Sequence, residues 1–135
     1  MAQENAVLFA NDAFYLAFAG RDLAMMDALW AHHAPVACVH PGWSALHGRE
    51  DVMSSWNDIL GNDASPDVQC RDARVHMRGE VAYVTCFEVI GDNALMATNM
   101  FVVEDGEWRM IHHHASPTLN EAPGVSAPDE PPVLQ

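Results

Sequence analysis

The stretch Val36-Ala-Cys-Val-His-Pro-Gly-Trp-Ser-Ala-Leu-His-Gly48 interrupts an otherwise helical N-terminal half. Val36 to Val39 reads as a short apolar strand. Pro41-Gly42 break it, Trp43 follows the turn, and a new helix starts after Gly48. The imidazole of His40 and the indole of Trp43 are thereby delivered together at a strand end, where side chains can reach into a cavity. The same stretch offers a second imidazole, His47, in a loop position that favours exposure.

Upstream, residues from Asn5 to Ala19 place Val7, Ala10, Phe14, Ala17 and Phe18 on one helical stripe, and Gly20 suits the stop. Asp22 can cap a second helix with the stripe Leu23, Met26, Leu29 and Trp30, ended by Ala34-Pro35. Downstream, Arg49 to Leu60 carries Val52, Trp56, Ile59 and Leu60 on one face, with Arg49-Glu-Asp as first-turn charge. From Val68 onward the pattern turns to strands: Val68 to Met77, Val81 to Ile90, Ala94 to Val103 and Trp108 to Ala115. Their spacers, Arg78-Gly-Glu, Gly91-Asp-Asn and Glu104-Asp-Gly-Glu, are turn chemistry, which predicts an antiparallel meander. Strands two to four are apolar on both faces. Three helices cover one face, so a partner subunit is expected on the other.

The chain of 135 residues suits one domain with a sizeable core. We expect that domain over residues 1–116 and a Pro-rich, extended or disordered tail over 117–135. The formal charge is -13, from six Lys and Arg against nineteen Asp and Glu. Such a surface repels phosphate backbones and anionic lipid, so neither nucleic acid nor a membrane is an expected partner. No apolar run reaches the roughly 20 residues of a bilayer span. An acidic start and three cysteines in no paired spacing point to a cytoplasmic protein with reduced, mostly buried thiols.

These elements, in this order, resemble the nuclear transport factor 2-like superfamily, and within it SnoaL-like and ketosteroid-isomerase-like proteins. The residues that carry the resemblance are Phe14-Tyr-Leu-Ala-Phe, Asp22-Leu, Leu29-Trp30, Val39-His-Pro-Gly-Trp43, Gly48-Arg-Glu, Trp56 and Asp105-Gly-Glu-Trp-Arg-Met-Ile-His-His-His-Ala-Ser116. It implies an α+β cone, cystatin-like in architecture: three N-terminal helices packed on a curved, mostly antiparallel sheet. It further implies a mostly apolar pocket inside and a homodimer through the outer sheet face.

Three positions carry over from the isomerases. Their general-base Asp-Pro pair falls on His40-Pro41. Their oxyanion-hole tyrosine falls on Phe14, with Tyr15 one residue off. Their second oxyanion donor, a protonated aspartate, falls on Asn99. His40 could shuttle a proton and Asn99 could polarise a carbonyl, whereas Phe14 has no hydrogen bond to give. Kinase-association domains share the Gly-x-Trp…His-x-His-x-Ser ending but hold an acidic ligand with arginines, where this chain has Asn99, Thr85 and Ala115.

Glu88 is the only carboxylate in the middle of an apolar strand. It is either a pocket acid with a raised pKa or a charge facing an interface or solvent. In His112-His-His114, the outer two residues share a face and His113 points the other way. A metal would need a third ligand such as Glu88 or His76, and no metal or cofactor is expected. Of the tryptophans, Trp43 is the ligand-stacking candidate, while Trp30, Trp56 and Trp108 suit packing.

The expectation is a small-molecule-binding protein for an apolar organic ligand. His40 and Asn99 are the catalytic candidates for cofactor-independent isomerase- or lyase-like proton transfer on a carbonyl. Phe14, Tyr15, Trp43, Trp56, Glu88, His112 and His114 are expected to line the site. The alternative is a non-catalytic dimerisation module with a vestigial pocket.

Overall fold

A computed structural model describes residues 2–119. Three helices, α1 (Ala2–Ala19), α2 (Leu23–Leu29) and α3 (Arg49–Leu60), pack on one sheet. Its strands are β1 (Ala37–Val39), β2 (Leu46–His47), β3 (Gln69–Arg78), β4 (Val81–Ile90), β5 (Asn93–Glu104) and β6 (Glu107–Pro117). The sheet order is β2-β1-β6-β5-β4-β3. The β3 to β6 meander is antiparallel, and β1 runs parallel to β6. The result is the expected cone, a curved, unclosed mixed sheet with helices on its concave side.

Local chemistry sets the helix limits. The buried stripe of α1 is Val7, Ala10, Asn11, Phe14, Tyr15, Ala17 and Phe18, the i, i+3, i+4, i+7 pattern of a helix lying on a core. The helix stops where the Gly20 amide donates to the Leu16 carbonyl at 2.8 Å. A side chain at Gly20 would meet that carbonyl oxygen at 2.9 Å. As expected, Asp22 caps α2, accepting from the Met25 amide at 3.0 Å. Arg49, expected only as first-turn charge, does more: its guanidinium donates to the carbonyls of Asp27, Trp30 and Ala31. That ties the start of α3 to the end of α2. Strand β2 was not anticipated, because two residues, paired back onto β1 through Ala37↔His47 and Cys38↔Leu46, are too short to show a period.

The inner face of the sheet and the three helices enclose Phe14, Trp30, Trp56, Phe101, Met26 and Met110, all buried. Strict alternation in β4 puts Ala82, Val84, Cys86 and Glu88 inside, as strand geometry requires. On the outer face lie Tyr83, Thr85 and Phe87 of β4, Met96, Thr98 and Met100 of β5, and His112 and His114 of β6, half-buried or exposed. No helix among the described residues is long and apolar enough to cross a membrane. Of the expected tail, Pro117 closes β6, and residues 120–135 lie outside the described residues.

The segment between α2 and β1 is held by one side chain. Glu104 accepts from the backbone amides of His32, His33 and Ala34 at 2.6, 3.1 and 3.0 Å. Those three donors hold its pKa down to about 2. A carboxyl with a depressed pKa contributes stability above its unfolded pKa and loses it as pH falls through the folded one. Glu104→Ala is therefore expected to speed hydrogen exchange at the amides of residues 32–34 at neutral pH. Acidification of the wild type toward pH 2 should lower the protection factors of the same amides, taken against their intrinsic exchange rates at each pH. Unchanged protection of those amides in the variant would contradict this role.

Candidate functional site

His40 follows β1 directly and is buried. Its Nε2 lies 2.9 Å from Ser55 Oγ, and Ser55 donates its one proton to the Val52 carbonyl at 2.6 Å. The His40 Nε2–H therefore donates to Ser55, leaving Nδ1 with a lone pair. Burial pulls the imidazole down to about 4, so it is neutral near pH 7. Trp56 and Trp43 each pack against the His40 ring with centroids 4.8 Å apart. Trp43 is 46% exposed, which makes it a rim residue, whereas Trp56 is fully buried.

A second set of polar groups meets under α1. Tyr15 Oη donates to Glu88 Oε2 at 2.6 Å. Asn99 Nδ2 donates to Tyr15 Oη at 3.1 Å and to Asn11 Oδ1 at 2.9 Å. Asn99 Oδ1 accepts from His113 Nδ1 at 2.6 Å. With acceptors on one side of the amide and the imidazole donor on the other, both the Asn99 orientation and the His113 tautomer are fixed. His113 Nε2 is then a lone pair, facing Glu88 Oε2 at 3.7 Å.

That approach has the geometry of an ion pair but not its charges. Burial raises the Glu88 carboxyl to about 7, against a partial offset from the Tyr15 hydrogen bond. Burial, helped by repulsion from His40, holds His113 near 3. Tyr15 is pushed well above its ordinary value, first by burial and then by Glu88. Among the described residues, Glu88 is thus the inner group brought near neutral pH, with a phenol donor against it.

The expected site residues divide accordingly. His40, Trp43 and Trp56 meet at the end of β1, and Tyr15, Glu88 and Asn99 meet beneath α1. Phe14 and His113 connect the two sets, with ring centroids 5.0 Å apart. Phe14 also packs on Trp56 at 5.5 Å. The oxyanion position expected at Phe14 is filled by a packing ring, and the neighbouring Tyr15 makes the polar contacts. Both residues fit because α1 buries a stripe two side chains wide.

The structure corrects the expectation that His112 and His114 line the interior. They lie on the outer sheet face, His112 Nδ1 reaching the Ala37 carbonyl at 3.1 Å, while His113 is inside. Strand parity, shifted by the irregularity between Met100 and Phe101, sets this placement. His47 is exposed on β2.

Asn11, Ser55 and His113 were not expected in the site. Asn11 was legible: it stands four residues before Tyr15 on the same helical stripe. Elsewhere among the described residues, the donor atoms of His33, Glu104 and Asp105 lie within 4.8 Å of one another. Both Glu104 oxygens are already taken by backbone amides, which accounts for that cluster without a metal.

Trp56 Nε1 is buried and has no hydrogen-bond partner. A cleft of about 520 Å³ between α1 and the start of β3 is lined by Asp12, Tyr15, Leu16, Val68, Cys70 and Arg71, among others. Of the polar cluster, Tyr15 is the member that walls it. A second cavity of about 500 Å³ lies on the far side of α1, between Phe9 and Trp108, away from these groups.

The SnoaL-like domain model matches residues 7–120. A proposed dehydratase of the nuclear transport factor 2-like family from Streptomyces avermitilis is 32% identical, with a TM-score of 0.80, over 88% of this chain and 98% of that one. A proposed calcium/calmodulin-dependent protein kinase type II association domain from Thiobacillus denitrificans is 36% identical, with a TM-score of 0.68, over 81% of this chain and 92% of that one. F-box protein SKIP8 of Arabidopsis thaliana is 28% identical over 120 residues, 87% of this chain. The chain spans about half the length of that curated relative, 52%.

Proposed function

We infer that this chain, which belongs to the SnoaL-like domain family, binds a small, largely apolar organic molecule bearing a carbonyl and moves a proton on it without a cofactor. The observation that carries the reading is the buried Tyr15–Glu88 hydrogen bond at 2.6 Å. A carboxyl held near 7 exchanges a proton readily at neutral pH. A phenol pushed well above its ordinary pKa stays protonated and can donate to a developing oxyanion.

In this reading a substrate oxygen takes over the Tyr15 hydrogen bond now given to Glu88. The freed Glu88 carboxylate removes a proton from the carbon next to the carbonyl. The same carboxyl then returns the proton, either to another carbon, as an isomerase does, or to a departing hydroxyl, as a dehydratase does. Asn99 keeps the tyrosine oriented, since its amide donates to the phenol oxygen. His40 stands apart from the pair, neutral, with its Nδ1 lone pair available as a second proton acceptor. The unpaired Trp56 Nε1–H supports a ligand with an acceptor oxygen, because a buried donor left unpaired costs about 1–3 kcal/mol. The similarity to a proposed dehydratase favours the elimination form.

Solvent deuterium exchange into a panel of enolisable ketones tests this. Wild type is expected to exchange above background, and Glu88→Gln to lose about 10²–10⁴-fold of that rate. His40→Ala should lose less. Background exchange in both wild type and Glu88→Gln would end the catalytic reading.

One observation favours an assembly role alongside or instead of catalysis. The outer sheet face presents Tyr83, Phe87, Met96 and Met100 with no covering element among the described residues, and a proposed association domain is 36% identical. A homodimer through that face is expected by sedimentation at micromolar concentration, and a monomer there would refute it.

A further inference from the structure

We propose that Cys70 and Cys86 form an oxidisable thiol pair, a modification site for hydroperoxides that closes to a disulfide beside Tyr15. The strand register places them together. Cys70 pairs with Glu88 across β3 and β4, and Cys86 lies two residues before Glu88, so both thiols are on the inner face. Register therefore makes them diagonal neighbours on one face of the β3–β4 pair.

The pair is asymmetric in access. Cys70 is half-buried and walls the cleft of about 520 Å³ that opens between α1 and β3. Cys86 is buried and does not line that cleft. Asn11 Nδ2 donates toward Cys70 Sγ at 3.7 Å, which favours its thiolate. Because Cys70 walls the cleft and carries the Asn11 hydrogen bond, it is the attacking sulfur and Cys86 the resolving one.

Closure needs the backbone to yield slightly. Diagonal neighbours on paired strands sit about 7–8 Å apart, just beyond the usual disulfide span of about 4.4–6.8 Å. Strand β3 is the sheet edge, free on one side, and its register shifts between Arg71 and Arg74. An edge strand with a bulge next to the cysteine can take up that difference. Cys38, the third thiol, is buried beside His40 and raised to about 12 by burial, so it stays inert.

The Cys70 thiolate attacks a peroxide oxygen, an S–O bond forms, the O–O bond breaks, and the leaving oxygen departs as hydroxide or alkoxide and takes a proton. The Cys86 thiol then attacks the sulfenic sulfur, the S–S bond forms and water leaves. Two thiols lose two electrons and two hydrogens, and the hydroperoxide is reduced to water and an alcohol, or to two waters. Because Cys86 Sγ lies 3.3 Å from Tyr15 Oη, closure also displaces a contact of the Tyr15–Glu88 pair.

The test is graded hydrogen peroxide on the reduced full chain, followed by thiol alkylation, intact mass and peptide mapping. Expected is loss of two of the three cysteines from alkylation, with a Cys70–Cys86 linked peptide in monomeric chains. Cys86→Ser should stop at a Cys70 sulfenic acid trapped by a dimedone-type probe, and Cys38→Ser should behave as wild type. Oxidation that leaves all three thiols free, that reaches Cys70 sulfinic acid with Cys86 still reduced, or that links two chains would each overturn the proposal.

Discussion

Trp56→Ala is expected to cost about 3–5 kcal/mol of folding free energy, the range for truncating a buried tryptophan. The indole is fully buried and joins the two halves of the interior. Its ring meets Phe14 at 5.5 Å and Phe18 at 5.0 Å on α1. It also meets His40 at 4.8 Å after β1 and His113 at 5.9 Å on β6. Its Nε1–H has no partner, so the loss is one of packing and cavity rather than of a hydrogen bond. Trp56→Phe should cost clearly less, and Trp43→Ala, at a half-exposed rim, less than about 1 kcal/mol. Urea unfolding of the three variants checks the ranking, and a Trp56→Ala loss near that of Trp43→Ala would contradict it.

The second large effect is a pH-dependent one at Glu88. Its carboxyl is raised from 4.5 to about 7 in the folded protein, so the native state binds the proton more tightly than the unfolded chain between those values. Stability must therefore fall as pH rises through that window, by about 3 kcal/mol in total at 1.36 kcal/mol per unit. Glu88→Gln carries no such loss. The stability of the variant relative to wild type is expected to climb by about that amount from pH 4.5 to pH 8.

The buried histidines act in the opposite sense. His40 and His113 are lowered to about 4 and about 3, so the unfolded chain takes up protons first and stability falls as pH drops below about 6.5. That limb is common to both proteins and largely cancels in the difference. A flat difference between pH 4.5 and 8 would mean that Glu88 titrates as an ordinary carboxyl.

Much of the fold was legible because its signals are local. Stripes at helical spacing, the Asp22 cap, Gly20 and the three turn spacers each mark an element or its end without long-range information. The two-residue β2 carries no such signal. The site was less legible, for three reasons. The resemblance puts the oxyanion position on Phe14 with Tyr15 one residue off, and α1 buries both, together with Asn11, so only the partners on distant strands single out Tyr15. The faces of His112, His113 and His114 depend on the irregularity between Met100 and Phe101, which alternation alone does not reveal. His40 and Glu88 were both visible as candidates, but which of them is poised near neutral pH is decided by surroundings from distant segments. Ser55 satisfies the one, and Tyr15 and His113 face the other.

The proton that Glu88 would hold near neutral pH, against the Tyr15 hydroxyl, is the feature on which the proposed function turns. Its most direct test is carbon-13 NMR of the Glu88 side-chain carboxyl through a pH titration, with Glu88→Gln used to assign the resonance. The expected midpoint is near 7 and moves when Tyr15 is replaced by phenylalanine. A midpoint near 4.5, unmoved by Tyr15→Phe, would contradict it.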